Sequence, residues 1–372
     1  MQRNHLIAVI TLFVSALCYS IYHLSTAPIL TAPVSWESPE HPGLTGVYAP
    51  NGRLTNAKLI PLGDHDGPEA IVRGPDGHLV TGTSDGHILR INPKTGAFTS
   101  LGTTEGRPLG LAFDGQGRLF IADALKGLLV RETDGALRSL CQTVEGTPVS
   151  YADDVTVARS GMVYFTDAST KFSPAKSGGP YEASRLEIVE HGATGRVIEC
   201  DPKTGHARVL AKGIAFANGI TLTHDERALL IVETAKYRVV RHWLTGPRKG
   251  RTLQFLEGLP GFPDNITRGR DGRYWIGLVS PRSQILDVLS ESPGLRTVLQ
   301  RLPRWAQPDA TSFGHIIAIN EKAELLVSLQ DPTGRVGFTV GVQEEPDFLY
   351  ISRLKGRSVA VIPNGVKLTK AP

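Results

Sequence analysis

Two stretches of the sequence, DGHLVTGTSDGHILRINPKTG from Asp76 to Gly96 and GQGRLFIADALKGLLVRETDG from Gly115 to Gly135, follow one pattern. In each, a turn marked by Gly and Asp leads into a short apolar strand, and a second turn leads into another strand. Because the two strands recur together with their turn, a six-bladed β-propeller is favoured over a pair of β-sandwiches. The sequence therefore predicts an all-β propeller, with further copies of the unit starting at Arg159, Asp225, Arg270 and Pro346.

The composition agrees with a fold built from many short turns. The 372 residues include 40 Gly and 25 Pro, an excess that goes with turns more than with long helices. The formal net charge is only +4 and no Lys/Arg block occurs, which argues against a nucleic-acid-binding protein. The three cysteines do not have the spacing of a zinc site.

An uncharged apolar run, LIAVITLFVSALCYSIYHL, extends from Leu6 to Leu24 and follows Arg3. As a helix it would be about 28 Å long, close to the hydrocarbon thickness of a bilayer. It predicts a transmembrane or signal-anchor helix in residues 1–26, followed by a Pro-rich linker over 27–58 and the propeller over 59–365. A cleaved export signal is the alternative, because Ser25-Thr26-Ala27 is an acceptable cleavage site.

Both readings of the N-terminus place the propeller outside the cytosol. If Arg3 stays on the cytoplasmic side, the rest of the chain lies on the extracytoplasmic or lumenal side of a single-pass protein; after cleavage it is secreted or periplasmic. In that environment Cys141 and Cys200 are free to pair, and the sequence leaves open whether they form a disulfide or remain buried thiols.

A short motif precedes the first strand of each unit, at a fixed position relative to the apolar run. Since the innermost strand of every blade borders the central channel, residues at this position converge on the propeller axis. An alternative is that the polar residues among them merely cap turns, as Asp and Asn do in many proteins. The position holds Glu69, Leu109, Asp153, Asn218 and Asp264, and we assign Glu344 as the sixth member.

The polar members of this set have the chemistry of a calcium site. Three carboxylates, those of Glu69, Asp153 and Asp264, repel one another at close range unless a cation or protons offset the charge. Asn218 and Asn265 add amide oxygens, and Asp154 lies beside Asp153. Oxygen ligands without cysteine or histidine suit Ca²⁺ and not Zn²⁺.

Several of these segments also carry a family likeness. Gly67-Pro-Glu69, Phe216-Ala-Asn-Gly219 and Leu259-Pro-Gly-Phe-Pro-Asp-Asn-Ile266 occur in a fixed order that resembles the strictosidine synthase-like proteins, from about Pro61 to Val361. That family is similar to the gluconolactonases and paraoxonases, which are six-bladed propellers. The resemblance implies a calcium ion held by Glu69, Asn218 and Asp264, with Asn265 as a further ligand. Asp153 stands where those hydrolases usually have Asn.

The same likeness bears on catalysis. The glutamate with which strictosidine synthases condense an amine and an aldehyde falls near Val340 and is missing, which makes that activity improbable. Paraoxonases have a histidine where this chain has Pro108-Leu109. The remaining histidines at turns and strands are expected to be surface residues, namely His78, His87 and His224.

What the resemblance implies is therefore a calcium-dependent hydrolase of esters or lactones with Asp264 as the general base. The expected partners are a small ester or lactone and a membrane that holds the N-terminal helix. The alternative is a non-enzymatic, membrane-tethered, ligand-binding propeller whose calcium is structural. Lys171-Phe172 and the insertion from Val279 to Pro308 are expected to shape the entrance to the site.

Overall fold

The computed structural model describes residues 25–365, together with residues 5, 10–15, 18, 19 and 22. Most of the apolar run from Leu6 to Leu24 lies outside the described residues, so the anchor helix stays a prediction. Among the described residues, no helix has the length and apolar character needed to cross a membrane.

Six antiparallel sheets of four strands form the body of the molecule, which confirms the six-bladed propeller. The strand that follows the N-terminal segment is β1 (Lys58–Pro61). Blade 1 consists of β2 (Ile71–Arg73), β3 (Leu79–Gly82), β4 (His87–Ile91) and β5 (Phe98–Thr103), and blade 2 of β6 (Pro108–Phe113), β7 (Leu119–Asp123), β8 (Gly127–Arg131) and β9 (Leu137–Leu140). A hairpin of β10 (Thr143–Val144) and β11 (Thr147–Pro148) follows. Blade 3 consists of β12 (Ala152–Val157), β13 (Val163–Asp167), β14 (Gly195–Cys200) and β15 (Ala207–Ile214).

The remaining three blades follow the same order from the axis outwards. Blade 4 consists of β16 (Ala217–Leu222), β17 (Ala228–Glu233), β18 (Arg238–Trp243) and β19 (Thr252–Leu256). Blade 5 consists of β20 (Gly261–Arg268), β21 (Arg273–Pro281), β22 (Gly314–Asn320) and β23 (Leu325–Asp331). Blade 6 contains β24 (Thr339–Glu344), β25 (Phe348–Arg353) and β26 (Ser358–Pro363). The last blade is completed by β1, which pairs antiparallel with β26, so strands from the two ends of the propeller close its ring.

Helices occur in two insertions. The connection between β13 and β14 contains α1 (Pro174–Ser177) and α2 (Pro180–Glu190), and the connection between β21 and β22 contains α3 (Gln284–Val288) and α4 (Pro293–Arg301). Short 3-10 helices span Gly46–Tyr48, Thr234–Lys236 and Arg304–Ala306.

The repeat seen in the sequence corresponds to the second and third strands of each blade. The second strands of blades 2 to 4 are buried along their whole length, because a blade has a neighbour on each face. Outer strands such as β5 contain only half-buried and exposed residues. The apolar core is therefore divided into clusters between blades, such as that of Phe120, Val130, Phe165 and Ile198 between blades 2 and 3.

Cys141 and Cys200 form a disulfide that joins the end of blade 2 to blade 3, with their Cα atoms 6.3 Å apart. Of the two possibilities that the sequence leaves open, the structure has the paired one. Cys200 is fully buried in the cluster between these blades.

The chain divides into two compact units. The propeller unit comprises residues 39–188, 193–282 and 310 onwards; the smaller unit comprises residues up to Ser38, Val189–Gly192 and Ser283–Asp309. In the smaller unit, the buried guanidinium of Arg296 donates to the carbonyl oxygens of Val189 (2.8 Å), Ser290 (3.1 Å) and Val34. These bonds connect α4 to the other two segments of that unit.

Candidate metal centre and active site

Every innermost strand begins at the same face of the propeller, and five of the predicted residues lie at or near these starts. Asp153 and Asn218 are the second residues of β12 and β16, Asp264 and Asn265 are the fourth and fifth of the eight residues of β20, and Glu69 precedes β2 by two positions. All five are buried, with 2 to 6 % of each residue exposed. The structure therefore brings the predicted residues to one entrance of the central channel.

Two glycines allow the innermost strands to approach each other this closely. A Cβ atom on Gly219, the residue after Asn218, would lie 2.6 Å from the Cα atom of Asn265 on the next blade. A Cβ atom on Gly110 would likewise collide with the backbone of Asp154. Any side chain at either position would push neighbouring blades apart. In the Asn218-Gly219 pair, the asparagine supplies a polar group to the entrance, and the glycine lets the next blade pack against the same strand.

The carboxylates at the entrance raise one another's pKa. Burial is the largest cause for both Asp153 and Asp264, whose pKa values lie well above the usual range for Asp. The charge of Glu69 raises both pKa values further, and that of Asp264 adds to the effect on Asp153. A hydrogen bond from the Asn218 side chain works in the opposite direction at Asp264. The cluster thus carries more negative charge than its surroundings offset.

One cation lies next to the cluster. The Arg107 guanidinium is 2.5 Å from Oε2 of Glu69 and donates to the carbonyl oxygen of Gly67 at 2.9 Å. Burial nevertheless raises the pKa of Glu69, and the Arg107 charge and hydrogen bond act against that rise. Arg107 was not singled out in the sequence, although it stands two residues before Leu109, in the motif of the second blade.

Asp154 has a different role from Asp153. Its carboxylate accepts the backbone N–H of Ile220 on the next blade at 2.9 Å and that of Val155 at 2.8 Å. Burial raises the pKa of Asp154 to about 7, although these backbone hydrogen bonds lower it. Asp154 therefore connects blades 3 and 4, and its two carboxylate oxygens are engaged by the backbone.

Three buried oxygen atoms at the entrance have no hydrogen-bond partner within the part of the chain that the structure describes: Oδ1 of Asn218, Oδ1 of Asp264 and Oδ1 of Asn265. Such orphaned acceptors are rare in proteins, because leaving one buried costs about 1–3 kcal/mol. Oxygens of this kind among carboxylates are what a hard divalent cation coordinates. The residues present therefore fit a Ca²⁺ ion.

A second set of acids holds the entrance loops in place. Asp123, Asp167 and Glu233 end the second strands of blades 2, 3 and 4 and accept backbone N–H groups of Arg107 (3.0 Å), Tyr151 (2.8 Å) and Ala215 (2.9 Å), respectively. These bonds position the segments that lead into Leu109, Asp153 and Asn218. The sequence carried a signal for them, since the donor and acceptor residues are 16 apart in both blade 2 and blade 3.

Apolar and aromatic side chains adjoin the carboxylates. Leu109, Tyr151, Phe172 and Phe216 belong to one buried cluster, and the rings of Tyr151 and Phe216 are 5.9 Å apart. Burial and the charges of Asp153, Glu69 and Asp264 all raise the pKa of Tyr151, which places its ring close to the acids. Phe172, from the Lys171-Phe172 pair that was expected to shape the entrance, is part of this cluster.

The assignment of Glu344 as the sixth entrance residue is wrong. Glu344 is the last residue of β24, so it lies at the opposite end of the innermost strand from the entrance. Val340, the second residue of β24, occupies the position equivalent to Asp153 and Asn218, and it is fully buried. The sixth blade thus contributes no ligand at this position, and neither does the second, where Leu109 stands.

Beyond the entrance, a cavity of about 220 Å³ runs along the axis and is lined by the innermost strands of all six blades. Asp154, Thr221, Asn265 and Gln343 are among its polar groups. The axis is therefore polar, in contrast to the apolar interfaces between blades.

The three histidines that were expected to be surface residues, His78, His87 and His224, are half-buried. His87 lies beside His65 and Asp85, and one nitrogen or oxygen atom from each of the three falls within 4.8 Å of the others. Partial burial raises the pKa of Asp85, but hydrogen bonds from Thr83 and His65 outweigh it and lower that pKa to about 2. This cluster was not identified from the sequence.

The fold and the entrance together define a six-bladed propeller with an acidic, oxygen-rich channel mouth, and comparisons with known proteins identify the family. The model of the strictosidine synthase family matches residues 153–247, and that of the N-terminal region of strictosidine synthase-like proteins matches residues 46–91. The adipocyte plasma membrane-associated protein of Gallus gallus is 33 % identical over 360 residues, which cover 89 % of this chain and 83 % of the relative. The chain belongs to the strictosidine synthase-like family.

Solved structures share the fold at low sequence identity. A gluconolactonase from Xanthomonas campestris is similar with a TM-score of 0.60 and 18 % identity, covering 84 % of this chain and 91 % of that one. The calcium-binding protein regucalcin from Agrobacterium tumefaciens has a TM-score of 0.57 and 15 % identity, covering 85 % and 95 %. This degree of likeness establishes the propeller architecture.

Proposed function

We propose that this protein is a calcium-dependent hydrolase of small esters or lactones. The observation that carries the proposal is the group of three orphaned buried oxygens, those of Asn218, Asp264 and Asn265, beside the carboxylates of Glu69 and Asp153. Such a set of oxygens is suited to retain Ca²⁺. The gluconolactonase and the calcium-binding regucalcin that share the fold support the same function.

In this proposal each residue has a separate task. Glu69, Asp153, Asn218, Asp264 and Asn265 hold the ion, and Arg107 limits the repulsion between Glu69 and the other carboxylates. The chemistry that calcium supplies when bound is Lewis acidity towards the ester or lactone carbonyl. Asp264 borders the ion and accepts the proton of the attacking water molecule at its carboxylate. Leu109, Tyr151 and Phe216 contact the apolar part of the substrate.

The substrate class follows from the absence of a strong base or nucleophile in this arrangement of described residues. A weakly activated water molecule attacks only carbonyls that have a good leaving group or ring strain. Aryl esters and lactones meet this requirement, whereas peptides do not.

The test is turnover of phenyl acetate and a panel of small lactones by the full-length protein in detergent. We expect activity with calcium, loss with a calcium-selective chelator, and loss in Asp264→Asn. The matched control is Asp134→Asn, because Asp134 is an exposed turn residue whose carboxylate accepts the Ala136 N–H at 2.9 Å. Turnover that survives both the chelator and Asp264→Asn would refute the proposal.

One observation favours the second candidate, a ligand-binding propeller with structural calcium. Every proposed ligand is at least 94 % buried, and the apolar cluster of Leu109, Tyr151, Phe172 and Phe216 adjoins the acids. A metal enclosed by protein and apolar side chains has no open coordination position for water or substrate, so its role is structural. The same assay separates the candidates, since this one predicts calcium binding without hydrolysis of any ester or lactone.

We place the propeller on the extracytoplasmic or lumenal side of a membrane, held by the predicted N-terminal helix, or secreted after its cleavage. The Cys141–Cys200 disulfide supports an oxidising compartment. A relative that is named for its association with the plasma membrane agrees with this location. Protease protection of the propeller in sealed membrane vesicles tests the orientation, and cleavage from the cytoplasmic side would contradict it.

A further inference from the structure

A group of metal-binding side chains lies on the first blade, apart from the carboxylates of the channel. Nδ1 of His65 is 2.7 Å from Oδ2 of Asp85, and Nδ1 of His87 is 3.2 Å from the same oxygen. The two imidazole rings are 4.8 Å apart. Two nitrogens and one carboxylate oxygen therefore converge on one small volume.

The three residues come from two loops that the backbone ties together. The Ser84 N–H donates to the carbonyl oxygen of Asp66, next to His65, at 2.8 Å. The Thr83 hydroxyl donates to Oδ1 of Asp85 at 2.5 Å, which fixes the carboxylate and leaves Oδ2 directed at the histidines. These bonds involve none of the three candidate ligand atoms, so they remain in place when a metal replaces the contact between Nδ1 of His65 and Oδ2 of Asp85.

The donor set decides which ion fits. Two imidazoles and one carboxylate match Zn²⁺ and similar borderline cations, whereas Ca²⁺ requires six to eight oxygen ligands. The side chains of His65, Asp85 and His87 are 22 %, 43 % and 37 % exposed, so solvent reaches the site. We propose that His65, Asp85 and His87 form a second metal site, specific for a zinc-type divalent cation, with a coordination position open to water.

The first blade contains its own control. The tripeptide Asp-Gly-His occurs twice, at Asp76–His78 and at Asp85–His87. At the first copy, Nδ1 of His78 is 3.6 Å from Asp76, whose carboxylate pairs with Arg90 at 2.6 Å in place of a second imidazole. The same local sequence therefore has a cation beside it in one turn and a second histidine in the other, and only the latter offers three ligands.

The test is a zinc titration by calorimetry of the full-length protein, free of any polyhistidine tag and saturated with calcium so that the channel residues do not compete. We expect one zinc ion per chain. His65→Gln and His87→Gln should each weaken binding about tenfold or more, while His78→Gln should leave it unchanged. Cobalt absorption provides a second readout, because imidazole coordination produces a visible band that the two variants should lose.

Two results would overturn the proposal: no zinc uptake by the wild-type protein, or uptake that His65→Gln and His87→Gln leave unchanged. Asp85→Asn is the additional variant if a histidine substitution prevents folding, and urea unfolding of each variant shows whether the fold is intact. Since none of the three residues belongs to the channel entrance, the outcome is independent of whether the protein hydrolyses esters.

Discussion

The two ends of the innermost strands hold buried carboxylates in opposite circumstances. At the entrance, Asp153 and Asp264 face other acids, and their pKa values are raised. At the far end, Glu344 lies 2.8 Å from Arg273 and accepts hydrogen bonds from Trp275 at 2.7 Å and Asn364 at 3.0 Å. Burial raises the Glu344 pKa, but these bonds outweigh it and lower the value. Burial of an acid alone therefore does not distinguish the two ends, whereas the balance of carboxylates and counter-charges does.

The largest effect on the free energy of unfolding is expected at Glu344, whose carboxylate has the most complete set of partners. Glu344→Gln leaves the Arg273 cation buried without its main counter-charge, which should lower the free energy of unfolding by about 3–5 kcal/mol. Urea unfolding measures the change. Asp271→Asn is the matched control, because Asp271 pairs with the same Arg273 at 3.2 Å but is 64 % exposed. It should change stability by about 0.5 kcal/mol or less, and equal effects of the two variants would contradict the comparison.

The buried imidazole of His315, which has a neutral partner, tests the cost of burying a base in place of an acid. His315 bonds the Ser328 hydroxyl at 2.9 Å, and burial lowers its pKa to about 4. Since the folded pKa lies below the unfolded value of about 6.5, His315 contributes stability above pH 6.5, and that contribution is lost as the pH falls towards 4. At pH 5 the loss should reach about 2 kcal/mol.

Unfolding of His315→Gln between pH 7 and pH 5 measures this contribution. The variant should lose less stability than the wild type over this interval. His206→Gln, at an exposed histidine, should follow the wild type. A variant His315→Gln that loses stability as steeply as the wild type would show that burial of this imidazole carries no such cost.

The smallest effect on the free energy of unfolding is expected at the channel entrance. There, removing a carboxylate should stabilise the protein, whereas at Glu344 it should destabilise it. In protein stripped of calcium, Asp153→Asn removes one of several like charges and should raise the free energy of unfolding by about 1 kcal/mol at pH 7.5. With calcium present the order should reverse, because the variant has lost a charged ligand. Urea unfolding in chelator and in calcium measures both. If Asp153→Asn destabilises the calcium-free protein, the acids are structural like Glu344.

Much of this could be read from the sequence, because turn residues and strand periodicity specify a blade locally. The placement of Glu69, Asp153, Asn218 and Asp264 followed from their common position before an apolar run. Glu344 was misplaced because β24 has Val340 at a position where four of the other five blades have a polar residue, so a nearby acid was assigned instead. The pairing of β24 with β25, from Thr339 opposite Arg353 to Glu344 opposite Leu349, fixes the register.

Features that depend on tertiary pairing were out of reach. Asp76 and Asp85 belong to identical tripeptides, and nothing local shows that only Asp85 meets His65. Arg107 was passed over for a similar reason, since its partner Glu69 is 38 residues away on the preceding blade. Such contacts are set by how blades stack, which a repeat pattern does not encode.

The most direct test of the central claim, that the entrance acids form a calcium site, is a calorimetric calcium titration of the full-length protein. We expect one calcium ion per chain, binding that is about tenfold or more weaker in Asp264→Asn, and unchanged binding in Asp134→Asn. The contrary result is a protein that takes up no calcium, or one whose affinity is the same after Asp264→Asn.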